Sequence, residues 1–126
     1  MKAMYIHDSI REPFTALILA GWKVFETRTR DMLRPLVGER VAIIRTGSGL
    51  PMIVGYADVV SGEKVDAVSF ASPQMTGLHR VFPDSKYFPR DNSGRWLYLL
   101  KNVERLPVPE PVPACVVRHG RSWCEF

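Results

Sequence analysis

Apolar and polar positions along the chain fall into short blocks whose period changes several times. Residues Lys2 to Ile10 alternate, with Met4, Ile6, Asp8 and Ile10 on one side and Tyr5, His7 and Ser9 on the other, which predicts a first strand ending at Arg11-Glu12-Pro13. Phe14, Leu17, Ile18 and Gly21 then recur at helical spacing behind Pro13, so Glu12 to Ala20 reads as a helix closed by Gly21. A strand is predicted over Lys23 to Arg30, and another over Glu39 to Thr46 around the apolar run Val41-Ala42-Ile43-Ile44. Gly47 to Pro51 turns the chain into an antiparallel partner, Met52 to Val60, with Gly55 as a bulge or close-approach point. Residues Ser61 to Ala67 are either an extension of that strand or a polar loop.

Ser72-Pro73 is a capped start for a short helix running on from Gln74. Pro83 to Arg95 is irregular, and Trp96-Leu97-Tyr98-Leu99-Leu100 opens a β-prone strand reaching Val103 or Leu106. Pro107, Pro109, Pro111 and Pro113 interrupt pairing and predict an extended strap, after which Val116 and Val117 sit in a final strand segment. Too few helices are present to cover a parallel sheet. The expected fold class is therefore α+β, an antiparallel, partly closed β-barrel with one or two flanking helices.

Composition narrows the class without naming a function. The 126 residues, 46% hydrophobic and 24% charged, suit one globular domain spanning 1–126. A net charge of +4 favours phosphate-bearing partners. No apolar run reaches the roughly 20 residues of a membrane span, and the first residues lack the apolar core of a secretory signal, so the expected location is cytoplasmic, with Cys115 and Cys124 as free thiols. No cofactor is expected: there is no glycine-rich loop opening a helix, and His7, His79, His119, Cys115 and Cys124 lack metal-ligand spacing. The tail residues Cys115, His119, Ser122 and Cys124 lie close in sequence but lack an orienting third group for a nucleophile.

The densest chemistry lies in Gly21-Trp-Lys-Val-Phe-Glu-Thr-Arg-Thr-Arg30. Strand alternation puts Val24, Glu26, Arg28 and Arg30 on one face, and Lys23 joins Glu26 only if it belongs to the preceding turn. Such a face is either the solvated side of a strand held by weak ion pairs or the wall of a site. Tyr5, His7 and Ser9 share a neighbouring strand face and could border that site. Farther along, Lys86, Tyr87, Arg90, Arg95 and Trp96 interleave cations with rings, as single-stranded nucleic-acid binders do, although rings before a core strand also serve packing.

Gly21-x-Lys23-x-x-Glu26-x-Arg28, behind a short amphipathic helix and an N-terminal strand, resembles the signature of the ASCH family (activating signal cointegrator homology domains), relatives of the PUA RNA-binding domains. The resemblance spans roughly Tyr5 to Pro113 and is sharpest over Glu12 to Arg30. It implies a PUA-like barrel and a cleft lined by Lys23, Glu26 and Arg28 that accepts RNA or a nucleoside. The primary expectation is an RNA-binding module recognising single-stranded RNA or a modified base, with Lys86 to Arg95 holding the backbone. The alternative is a small hydrolase, amidohydrolase-like or ribonuclease-like, with Lys23 and Glu26 as its acid/base pair. In the amidohydrolase branch of the family a threonine follows the lysine by three positions, whereas this chain has Glu26 there, so that catalytic set does not carry over. A third expectation is a protein partner gripping the proline strap from Pro107 to Pro113.

Overall fold

The computed structural model describes residues 1–126. Strand β1 (Lys2–His7) is buried on both faces, with Met4 and Ile6 in the main core and Ala3 and Tyr5 in a smaller cluster behind the sheet. The strand stops three residues earlier than alternation predicts. Asp8 turns inward to accept hydrogen bonds from the Thr15 backbone N–H (2.9 Å) and hydroxyl, which ties the strand end to the next helix, and Ile10 is left fully exposed. Helix α1 (Phe14–Leu19) follows, shorter at both ends than the periodicity implies, and buries Phe14, Thr15 and Ile18. Gly21 closes it with φ +84°, its N–H donating to the Ile18 carbonyl, a conformation that costs a Cβ-bearing residue about 1 kcal/mol or more.

Strand β2 is only Phe25–Arg28, so Lys23 and Val24 belong to the connection and Arg30 lies beyond the strand on the surface. A 3-10 turn (Arg34–Leu36) leads to β3 (Arg40–Thr46), and β4 runs from Met52 to Val65, so the polar stretch after Val60 is strand rather than loop. Two short helices follow: α2 (Ala67–Phe70), capped by the Asp66 carboxylate, and α3 (Pro73–His79), capped by the Ser72 hydroxyl. Strand β5 (Arg95–Pro111) is the longest element, and β6 (Val117–His119) and β7 (Trp123–Glu125) form a terminal hairpin.

The proline strap is a correction. Pro107, Pro109 and Pro111 lie inside β5, which still pairs with β4, Glu110 opposite Ile53 and Pro111 opposite Met52. The register shifts between Arg105 and Glu110, so Pro107 and Pro109 have no partner residue on β4 and cost no ladder bond, and regular pairing resumes only at Glu110 and Pro111.

The sheet order is β2-β5-β4-β3-β1-β7-β6. All neighbours are antiparallel except β1 and β3, which pair in parallel from Ala3–Ala42 to His7–Thr46. The parallel pair is possible because α1, β2 and the 3-10 turn form the crossover between the two strands. The class is α+β as expected, and the sheet stays open, since its edge strands β2 and β6 do not pair. It curls enough to bring β2 beside the C-terminal half of β1. There the gap is spanned by a side chain: Arg28 Nη2 donates to the Tyr5 carbonyl at 2.7 Å.

Candidate functional site

The space between the curled ends of the sheet is a cleft of about 770 Å³. Its walls come from β1 (Tyr5, Ile6, His7), β2 and the residue after it (Glu26 to Thr29), the loop before β5 (Lys86, Tyr87, with Arg95 at the strand start) and the terminal hairpin (Arg118, Arg121, Ser122). Phe14, Met32 and Thr46 complete it. Five cationic side chains face one carboxylate. Because Arg28 is engaged with Glu26 at 3.2 Å, Lys86, Arg95, Arg118 and Arg121 carry the excess positive charge. Focusing of that field in a walled cleft favours an anionic ligand.

Beneath the floor, Lys23 is sealed at 1% exposure and does not line the cleft. The turn position of this residue, set by the Gly21 cap and by the Lys23 N–H bonding back to the Leu17 carbonyl, points its side chain toward Glu26. Its ammonium donates to the His79 carbonyl, lies 3.9 Å from Glu26 Oε1 and stands 4.7 Å over the Phe14 ring. Burial lowers its pKa to about 8, with Arg28 pushing the same way and Glu26 and Glu12 opposing. Glu26, 6% exposed, thus bridges a buried cation and a cleft cation, while its Oε1 also accepts the Thr27 N–H at 2.9 Å. The three signature residues form one continuous charged chain from core to cleft.

His79, which holds Lys23, is itself fixed. Its Nδ1 accepts the Val81 N–H (3.0 Å), so Nε2 carries the proton and donates to the Phe70 carbonyl (2.8 Å), with the ring stacked 3.8 Å from that of Phe70. Desolvation holds its pKa below the ordinary value, which keeps it neutral.

Of the other residues singled out in the sequence, Tyr5, His7, Glu26, Arg28, Lys86, Tyr87 and Arg95 meet at the cleft. Ser9 instead lines an adjoining basin, and Arg30, Arg90 and Trp96 line neither. Arg90 donates to the Ser85 carbonyl, and the Trp96 ring lies under Arg34, 5.6 Å from its guanidinium carbon. Arg95 is pre-positioned by the carbonyls of Tyr87 and Gly94 and the hydroxyl of Ser93. The tail residues do not converge. Cys124 is buried, Cys115 is exposed, His119 stacks on Trp123 and pairs with Glu125, and Ser122 donates to the Met32 sulfur at 3.3 Å.

Sequence reasoning missed Arg118 and Arg121. The available signal was a basic pair flanking Gly120, a glycine at a hairpin turn with φ +67°. Arg118 lies over the Tyr5 ring, 5.4 Å from its centroid, and its Nε is 3.4 Å from the phenol oxygen. The Tyr5 phenol is pushed up by burial, with the neighbouring Cys124 thiol acting the same way and Arg118 opposing.

No protein-family model matches the sequence, and no curated protein matches it. Solved structures do. The ASCH protein of Zymomonas mobilis superposes with a TM-score of 0.65 at 19% identity, covering 87% of this chain and 73% of that one. Two variants of the same protein are also similar. A serine-to-alanine variant gives a TM-score of 0.68 at 17% identity, with 86% of this chain and 73% of that chain covered. A tyrosine-to-phenylalanine variant gives 0.67 at 18%, with 89% and 77% covered. At these identities the likeness is one of backbone path, over 86–89% of this chain: the chain has an ASCH-type fold.

Proposed function

We propose that the cleft binds single-stranded RNA, with a base or modified base inserted between β1 and β2 and the phosphates held by Lys86, Arg95, Arg118 and Arg121. The observation that carries this reading is the convergence, on one cleft, of four cations not paired to Glu26 with the rings of Tyr5 and Tyr87. Cations suit a phosphodiester backbone and rings suit base faces. Thr27, Thr29 and the Glu26 carboxylate offer the polar contacts that distinguish one base edge from another, Glu26 by accepting from an exocyclic amine.

The test is fluorescence anisotropy with a labelled single-stranded hexanucleotide across a salt series. If all four cations neutralise phosphates, the slope of log K against log salt is about −2.8, roughly a fiftyfold loss of affinity between 50 and 200 mM. An absence of binding, or binding indifferent to salt, removes the proposal.

A second reading, hydrolysis of RNA or a modified nucleoside, draws on a different observation: Lys23 has a pKa of about 8, in the range of a general base, and stands against Glu26. Its sealed position weighs against it, since a general base must reach the proton it removes. Mass spectrometry of RNA and of N4-acetylcytidine after incubation with the protein decides the matter: product formed by the native chain and not by Lys23→Ala promotes the hydrolase over the binding module.

A further inference from the structure

A second basin, of about 640 Å³, adjoins the cleft and shares His7, Phe14, Lys86 and Tyr87 with it. Its character differs. Where the cleft is dominated by cations, the basin adds Ile10, Leu17 and Phe82 to the shared Phe14 and Tyr87, and its own charges, Arg11 and Arg80 against Glu12 and Asp84, balance. Ile10 is fully exposed and Phe82 is 47% exposed, so neither is committed to the core. The shared wall is structured: the Phe14 and Tyr87 rings meet edge to face at 6.0 Å, and Lys86 Nζ lies 5.1 Å from the Tyr87 centroid. Of the charged residues, Lys86 alone lines both spaces.

We propose that this basin is a second nucleotide subsite, which takes the base next to the one in the cleft and makes the preferred ligand an oligonucleotide rather than a free nucleoside. The inference rests on the RNA-binding reading given above. A basin with an apolar wall, an exposed ring and rim charges that balance fits a base face, and Lys86 on the partition is placed to meet the phosphate linking the two nucleotides. Arg11 adds a second cation at the rim. It is held only by an exposed ion pair with Asp84 at 3.1 Å, a weak tie in water, so it is free to exchange that partner for a phosphate. Phe82 supplies the stacking ring.

Calorimetric titration with cytidine monophosphate, the dinucleotide CpC and a single-stranded hexanucleotide tests the assignment, using the native chain, Phe82→Ala and Phe82→Tyr. The expected result is that CpC binds about tenfold more tightly than the monophosphate, and that Phe82→Ala removes roughly fivefold or more of the CpC affinity. Phe82→Tyr, which keeps the ring, restores that affinity, and the monophosphate affinity is the same for all three proteins. Equal affinities for the monophosphate and CpC, or a CpC affinity that Phe82→Ala leaves unchanged, overturn the subsite while leaving the cleft reading in place. Failure of all three ligands to bind the native chain overturns both.

Discussion

Lys23 gives the sharpest physical prediction. An ammonium buried to 1% exposure costs stability whenever it is charged, because desolvation outweighs the attraction of Glu26 and Glu12, and the nearby Arg28 adds repulsion. The lowering from 10.5 to about 8 expresses that cost. Below pH 8 folded and unfolded chains both hold the proton, and the penalty is complete, about 3 kcal/mol. Between pH 8 and 10.5 the folded chain has released its proton while the unfolded chain still binds it, so stability rises with pH. From pH 7.5 to 9.5 the gain is about 2 kcal/mol. The window stops there because burial also holds Tyr98 and Tyr5 above the ordinary tyrosine value, and they contribute the opposite slope once pH passes about 10. Urea denaturation of the native chain and of Lys23→Met at half-unit intervals isolates the effect. The difference between the two proteins should shift by about 2 kcal/mol in favour of the native chain as pH rises. A difference independent of pH, or one moving the other way, would refute the account of Lys23 as a desolvated ammonium.

Three further outcomes follow from the same geometry. Glu26→Gln removes the only carboxylate within 4 Å of Lys23 and Arg28 and should cost about 3 kcal/mol in urea denaturation at pH 7, with a smaller cost at pH 9.5, where Lys23 is neutral. Gly55→Ala would place a Cβ 2.3 Å from the Glu104 carbonyl oxygen of the neighbouring strand and 2.6 Å from Leu19 Cδ2; a thermal melt should show a loss of about 3 kcal/mol, and a neutral result would mean that β4 and β5 separate there more easily than their packing implies. The double change Arg118→Ala, Arg121→Ala should leave the melting temperature nearly unchanged and make the salt slope of RNA binding shallower by about 1.4, read by anisotropy.

Local chemistry was legible in the sequence wherever neighbours in the chain settle it. The Gly21 cap, the Ser72 cap, the close approach at Gly55 and the apolar strand at Val41 to Ile44 each depend on a few adjacent residues, and each is present. So is the signature cluster, once Lys23 is placed in the turn and β2 begins only at Phe25. The alternation over Lys2 to Ile10 misled because β1 is covered on both faces, so that its pattern reports the next contact of the chain rather than a solvent side. The prolines after Leu106 do interrupt pairing, but only locally: beyond the register shift β5 rejoins β4 at Glu110 and Pro111, a long-range contact that the local sequence does not encode.

Tertiary structure alone decided the rest. The parallel partnership of β1 with β3 and the addition of β7 beside β1 join residues some 40 and more than 110 positions apart, and no local period encodes such pairings. They are what carry Arg118, Arg121 and Ser122 to the cleft, and what divide the predicted site into a buried Lys23, a bridging Glu26 and an exposed cationic rim. The residues specified the chemical groups available to the cleft, whereas burial and strand order fixed which of those groups face it, because the free energy of a charge depends on the solvent and partners that only the folded chain assembles.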